Sequence, residues 1–318
     1  MLKKNDILLS VVIPVYNEKD SLIPLAEELK NVLDGLGRTY EIIWVDDGSS
    51  DGSFDTLRLS ADKDNFRVVR FSRNYGQTAA MSEGINSSRG EWIVTLDADG
   101  QNDPADIPLL LETALSGGYD VVSGYRKNRR DPFFSRRLPS VIANRIISAV
   151  TGVRLRDSGC TLKIYRADLL KSIDLYGEMH RFIPALMHHI GASITEIPVN
   201  HRPRMTGRSK YGIMRTFKVC LDLITVKFRG EFASKPAYFF GGMGVFLWIV
   251  SAFMAAWTLY NRFFNGIYVK DQPLFLLAGF CALAGLQMVF TGILADMITR
   301  NFYHANKDNF YRVSERIN

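Results

Sequence analysis

Apolar positions along this chain follow two regimes. Through the first 236 residues, short apolar runs alternate with segments of helical spacing. Leu8–Val15, Tyr40–Asp46, Phe66–Phe71, Trp92–Asp97 and Tyr119–Gly124 read as strands, and Ser21–Leu36 and Asp103–Leu115 as helices between them. Strands apolar throughout, separated by amphipathic helices, predict a parallel sheet covered on both faces. The pattern then changes. Ala237–Tyr260 and Gln272–Ala295 are each 24 residues without a charge, and a helix of that length spans roughly 36 Å, enough to cross a bilayer. With the polar stretch Asn261–Asp271 between them, they form a helical hairpin whose flanks share one compartment. Leu138–Val150 and Ile213–Phe228 are amphipathic at helical spacing, the second leading straight into the hairpin.

Composition narrows the class. The 318 residues suffice for two domains, and 47% hydrophobic residues exclude a disordered chain. Cys160, Cys220 and Cys281 are too few and too scattered for a disulfide framework or a zinc site. The formal charge of +6 is spread widely. Its aromatic residues are not interleaved with the basic segment in any stacking module, which argues against nucleic acid. Nine basic residues lie in the 49 residues flanking the hairpin and two in its 11-residue loop; density does not discriminate, but the total favours both flanks inside. Met1–Lys4 has no apolar run of a signal peptide behind it, so the large first part is expected in the cytoplasm.

Ligands of parallel sheets bind beyond the carboxyl ends of the strands. Three of the predicted strands end in unusual polar sets: Pro14-Val15-Tyr16-Asn17-Glu18, Asp46-Asp47-Gly48-Ser49-Ser50-Asp51-Gly52, and Asp97-Ala98-Asp99-Gly100-Gln101. If β-structure continues through Asp97, alternation points the Asp97 and Asp99 carboxylates to one side. Like charges so placed call for a cation between them, and Mg2+ or Mn2+ held by two carboxylates completes its shell with phosphate and water. A nucleoside diphosphate is the ligand this suggests. Downstream, His201, Arg202, Arg204, Arg208 and Lys210 form a basic cluster just before the juxtamembrane stretch, suited to a lipid phosphate.

The ordered set, completed by Arg204-x-x-Gly207-x-Ser209-Lys210-Tyr211, resembles the inverting GT-A glycosyltransferases of family 2, and more narrowly their polyprenyl-phosphate branch, over essentially the whole chain. The resemblance implies an α/β fold: a GT-A (Rossmann-like) domain with a mostly parallel sheet, plus a C-terminal two-helix transmembrane hairpin. It divides the chain into a catalytic domain (1–210), juxtamembrane amphipathic helices (211–236), two transmembrane helices (237–298) and a cytoplasmic tail (299–318). It also implies that Pro14, Tyr16, Glu18, Asp46, Asp47 and Asp97 bind the nucleotide sugar, that Asp97, Asp99 and Gln101 surround the metal, and that Arg126, Arg204, Ser209 and Lys210 meet donor or acceptor phosphates. Asp99 and Asp157 are the catalytic candidates, Asp157 as a base or as a residue that orients the acceptor. One departure is visible. Relatives read Gln-x-Pro-Pro after the metal motif, whereas this chain has Gln101-Asn102-Asp103-Pro104, where Asp103 could cap the following helix.

The expected reaction is transfer of a hexose, with UDP-glucose the preferred donor, to undecaprenyl phosphate at a bacterial inner membrane. Aminoarabinose derivatives, UDP-N-acetylhexosamine and GDP-mannose are alternative donors. A processive polysaccharide synthase is disfavoured by the lack of a Gln-x-x-Arg-Trp motif, and a transporter leaves the strand-end carboxylates unexplained. Ala252/Ala256 and Ala278/Ala282 have the small-x-x-x-small spacing that permits helix contact in a homo-oligomer.

Overall fold

A computed structural model describes residues 7–60, 65–127, 148, 151–203 and 235–306. Two compact units are distinguished, Met1–Val226 and Lys227–Asn318. Ile213–Phe228, almost all of Leu138–Val150, Cys220, Arg204, Arg208, Ser209 and Lys210 lie outside the described residues.

The first unit is built on a seven-stranded sheet of order β3-β2-β1-β4-β6-β5-β7. Its strands are β1 (Leu9–Val15), β2 (Tyr40–Asp46), β3 (Phe66–Arg70), β4 (Trp92–Thr95), β5 (Val121–Arg126), β6 (Lys163–Arg166) and β7 (Ile194–Val199). Every residue of β1 and β2 is buried, which is why they read as mostly apolar runs; buried Ser10 and Glu41 satisfy each other at 2.7 Å. Leu9, Val11, Ile13 and Val15 pack into one core, under α1 (Lys19–Gly35) and α4 (Ile107–Gly117). Val12 faces the other way, toward Met81 and Ile85 of α3 (Gln77–Ser87) and Ile183 and Met187 of α6 (Ile183–His189). On α1 the inward positions Leu22, Leu25, Leu29 and Leu33 recur at helical spacing. The short helices α2 (Ser53–Ser60) and α5 (Ala167–Leu170) complete the unit.

Pro14 is tolerated inside β1 because its missing N–H falls on the β4 side. There, pairing stops at Val12↔Thr95, while Pro14 still registers with Val45 of β2. Strand β6 alone runs against its neighbours, antiparallel to both β4 and β5. Its reversal brings the residues that lead into it, Asp157–Leu162, to the same sheet edge as the exits of β1, β2, β4 and β5.

The second unit is a helical hairpin of α7 (Pro236–Phe264) and α8 (Pro273–Asn306). Both helices are long and apolar enough to cross a membrane, with only 6% and 11% of their most apolar windows buried. Surfaces that apolar and that exposed are not the core of a soluble domain. Between the helices contact is close. Trp248 Nε1 donates to Ala282 O at 3.1 Å and Ser251 Oγ to Ala278 O at 2.7 Å, and a Cβ on Gly244 would fall 2.7 Å from Gly285 O. Ala278 and Ala282 therefore serve this hairpin, while Ala252 and Ala256 remain exposed.

Candidate active site

The loops leaving β1 and β2 are laced together by hydrogen bonds that their Ser, Asn and Asp content makes available. Asn17, the one described non-glycine residue at positive φ (56°), donates its N–H to Ser49 Oγ at 3.0 Å and accepts the Ser50 N–H on its side chain at 2.9 Å. Glu18 N–H reaches Ser53 Oγ at 3.1 Å, and Ser21 Oγ donates to Ala98 O at 2.6 Å, tying this corner to the loop after β4. Tyr16 stands exposed at the rim, and Pro14 is buried behind it.

Asp46 and Asp47 act first on the chain. Asp46 is fully buried; its Oδ1 accepts the Ser49 N–H at 3.2 Å, and Oδ2 lies 3.6 Å from Arg70 Nε. Asp47 accepts the N–H groups of Tyr75 (2.6 Å) and Gly76 (2.9 Å), bonds that oppose the upward push of burial on its pKa. Gly48, at φ +70°, approaches so closely that a Cβ would sit 2.5 Å from the Arg73 carbonyl carbon. These contacts bring in the exit of β3, Phe71–Gln77, a strand end whose chemistry the sequence reading did not pick out although it follows an apolar run like the other three.

That segment reaches the centre of the site. Gln77 Nε2 donates to Asp97 Oδ1 at 2.9 Å, and Thr161 Oγ1 donates to Asp97 Oδ2 at 2.7 Å. Burial first, and the neighbouring Asp99 next, push the Asp97 carboxyl up to about 6, against Thr161, Lys163 and Arg126. The strand alternation expected to align Asp97 and Asp99 does not apply, because β4 ends at Thr95 and Asp99 lies in a turn. The turn still brings the two within mutual repulsion, and Asp99 Oδ1 accepts the Gln101 N–H at 3.1 Å. Among the described residues no three His, Cys, Asp or Glu side chains converge. A repelling pair of carboxylates with oxygen ligands only fits a hard divalent cation that draws further ligands from phosphate; Asp99 and Asp97 would hold it, with Gln101 beside them.

Opposite lies Asp157. Its carboxylate takes Arg126 in a fork, Nε to Oδ2 at 2.6 Å and Nη2 to Oδ1 at 2.8 Å, with both side chains largely buried. The sequence reading placed Arg126 against phosphate; the structure gives its guanidinium to Asp157, an arrangement in which Asp157 aims a cation. Lys163, also buried and missed in the sequence, donates through Nζ to Ser158 O at 3.1 Å and to Cys160 O. Burial lowers its pKa, countered by Asp157 and Asp97 among its neighbours. Arg202 has partners that its charge alone did not disclose: it pairs with Glu28 and Asp103, at 2.6 and 2.7 Å. Asp103 does cap the following turn, accepting the Ala105 N–H at 3.0 Å.

Comparison with known proteins gives the same direction. The profile described as glycosyl transferase family 2 matches residues 10–174. A dodecaprenyl-phosphate galacturonate synthase from Rhizobium johnstonii is 40% identical over 96% of this chain and 92% of its own. An undecaprenyl-phosphate 4-deoxy-4-formamido-L-arabinose transferase from Pseudomonas paraeruginosa is 38% identical over 93% and 86%. Among solved structures, glucosyl-3-phosphoglycerate synthase from Mycobacterium tuberculosis with Mn2+ and UDP-glucose superposes at a TM-score of 0.55, with 17% identity over 70% of this chain and 79% of that one. That likeness is one of fold.

Proposed function

The chain belongs to glycosyltransferase family 2, and on that footing we propose that it moves a sugar from a uridine diphosphate donor to a polyprenyl phosphate at a bacterial membrane, with inversion at the anomeric carbon. One observation carries the reading: the Asp97/Asp99 pair and the Asp157–Arg126 fork meet at a single sheet edge, in a chain whose relatives act on polyprenyl phosphates by name. Those names carry galacturonate and 4-deoxy-4-formamido-L-arabinose. Galacturonate, from the relative matched over nearly its full length, is the donor sugar we put first, the formamido-arabinose second, and the glucose favoured by the sequence reading behind both.

The acceptor needs little activation. A phosphate monoester has a second pKa near ~6, so its oxygen is largely ionised at neutral pH. That oxygen attacks the anomeric carbon, the bond from that carbon to the diphosphate oxygen breaks, and UDP leaves with the electron pair. Asp157 aims Arg126, and the buried Lys163 holds the Ser158–Cys160 turn through two carbonyls. Asp97, fixed by Gln77 and Thr161, and Asp99, fixed by Gln101, face the donor diphosphate, while Tyr16 and Glu18 border the nucleoside. Arg204, Ser209 and Lys210 are assigned to the acceptor phosphate. Bound Mg2+ or Mn2+ would act as a Lewis acid on the leaving diphosphate. In this reading both helices of the hairpin cross the membrane and the first unit faces the cytoplasm, where nucleotide sugars are made.

Detergent-solubilised protein incubated with undecaprenyl phosphate and labelled UDP-galacturonate should release label into the lipid phase, with the formamido-arabinose donor, UDP-glucose and GDP-mannose run in parallel. No lipid-linked label from any of the four would refute the function.

A further inference from the structure

We propose that Arg202 is a positioning residue that clamps the loop following β4, Asp99 to Asp106, and so sets the donor side of the site. The inference rests on the reading that this loop faces the donor diphosphate.

Beyond β7 the chain is sewn to that loop at successive residues. Asn200 donates from its N–H to Asp106 Oδ2 at 2.6 Å and from Nδ2 to Oδ1 at 3.3 Å. His201 forms an isolated antiparallel bridge with Asn102. Arg202 donates its N–H to Gln101 O at 2.8 Å. Its guanidinium then spans two elements: Nη1 and Nη2 fork onto Glu28 of α1 at 2.8 and 2.6 Å, and Nη2 also meets Asp103 Oδ1 at 2.7 Å. Asp103 thus carries two loads with one oxygen, the cap of the Pro104–Asp106 turn and the salt bridge to Arg202.

From this clamp, short paths lead to both carboxylates of the donor site. Gln101 accepts the main-chain N–H of Arg202, whose register the guanidinium fork on Glu28 and Asp103 holds, and donates its own N–H to Asp99 Oδ1. Asn102 Nδ2 donates to Thr161 Oγ1 at 3.2 Å, and that hydroxyl donates to Asp97. A rigid fork is what such a task requires, because guanidinium fixes two carboxylates in direction as well as distance, which an ammonium does not. Asp103 is also the position where this chain departs from Gln-x-Pro-Pro. A proline there would offer no carboxylate to Arg202. Arg202 and Glu28 are 40% and 35% exposed, so the pair adds little to stability. Its consequence is geometric.

The test titrates the full-length protein in detergent with UDP in the presence of Mn2+ by calorimetry, and measures KM for donor and for lipid separately. Arg202→Met should weaken UDP binding and raise the donor KM by roughly tenfold, short of the ~100-fold that a full 1 Å misplacement can cost. The lipid KM and the thermal midpoint should stay put. Arg202→Lys should recover part of the loss, and Asp103→Asn, which keeps a capping oxygen, should show a smaller one. Unchanged UDP affinity in Arg202→Met overturns the proposal. So does a loss that falls equally on the lipid KM, or one that only accompanies a lowered midpoint. Wild-type protein that transfers sugar but gives these results condemns the clamp alone; wild-type protein that binds no UDP removes the donor reading, and the clamp with it.

Discussion

His180 offers a quantitative test of the second core. It lies in the Met179–Phe182 turn, with Nδ1 2.7 Å from Thr78 Oγ1 and Nε2 accepting from Arg181 Nε at 3.4 Å. Arginine can only donate, so Nε2 is the acceptor and Nδ1 carries the hydrogen given to Thr78. Burial, then repulsion from Arg181 and Lys163, presses the imidazole from 6.5 down to about 3. The sign follows from linkage. Below pH 6.5 the unfolded chain takes up a proton that the folded one refuses, so stability is complete above 6.5 and falls as pH drops toward 3, by about 1.4 kcal/mol per unit. At pH 5, one and a half units down, the loss is about 2 kcal/mol. Asp97 works against it. Its carboxyl, raised from 3.8 to about 6, keeps a proton in the folded state over that window, and by the same relation returns about 1.4 kcal/mol at pH 5. The clean quantity is therefore the difference between wild type and His180→Asn, in which Asp97 cancels. Urea unfolding in detergent, followed by the fluorescence of buried Trp44 and Trp92, should show the stability gap between the two proteins closing by about 2 kcal/mol from pH 7 to pH 5. A gap that stays constant refutes a buried neutral His180.

Asp99→Asn should lower kcat by at least ~100-fold, about 2.7 kcal/mol of barrier, with the thermal midpoint kept, and chelation should abolish turnover of the wild type; turnover that survives EDTA would refute the metal assignment. Asp157→Asn leaves Arg126 without the carboxylate that holds it, so the thermal midpoint should fall and the lipid KM rise, while residual activity changes little between pH 7 and 9; recovery of rate on raising the pH would show obligatory proton removal by Asp157 instead. A cysteine at Asn265, in the hairpin loop, should be labelled in intact cells by an impermeant thiol reagent, and protection there would invert the topology.

What the chain declared by itself were the features that burial on every side imposes. Strands β1 and β2 were predicted at Leu8–Val15 and Tyr40–Asp46 and observed at Leu9–Val15 and Tyr40–Asp46, since a strand covered on both faces is mostly apolar, and the few polar side chains it holds, such as Ser10 and Glu41, bond to each other. The two long helices were equally plain, as runs of 24 residues without a charge. Strand β6 could not be read this way. Its four residues, Lys163-Ile164-Tyr165-Arg166, carry two charges and no alternation, and nothing local tells that they run antiparallel between β4 and β5. The carboxylates of the site were visible as residues, but their partners were not. Arg126 and Arg202 were visible as charges without their carboxylate partners, because sequence reports a charge and not its neighbour. The carboxylates that claim them are 31 and 174 positions away, and only the fold, by reversing β6 and carrying the chain beyond β7 to α1, brings those charges within reach of one another.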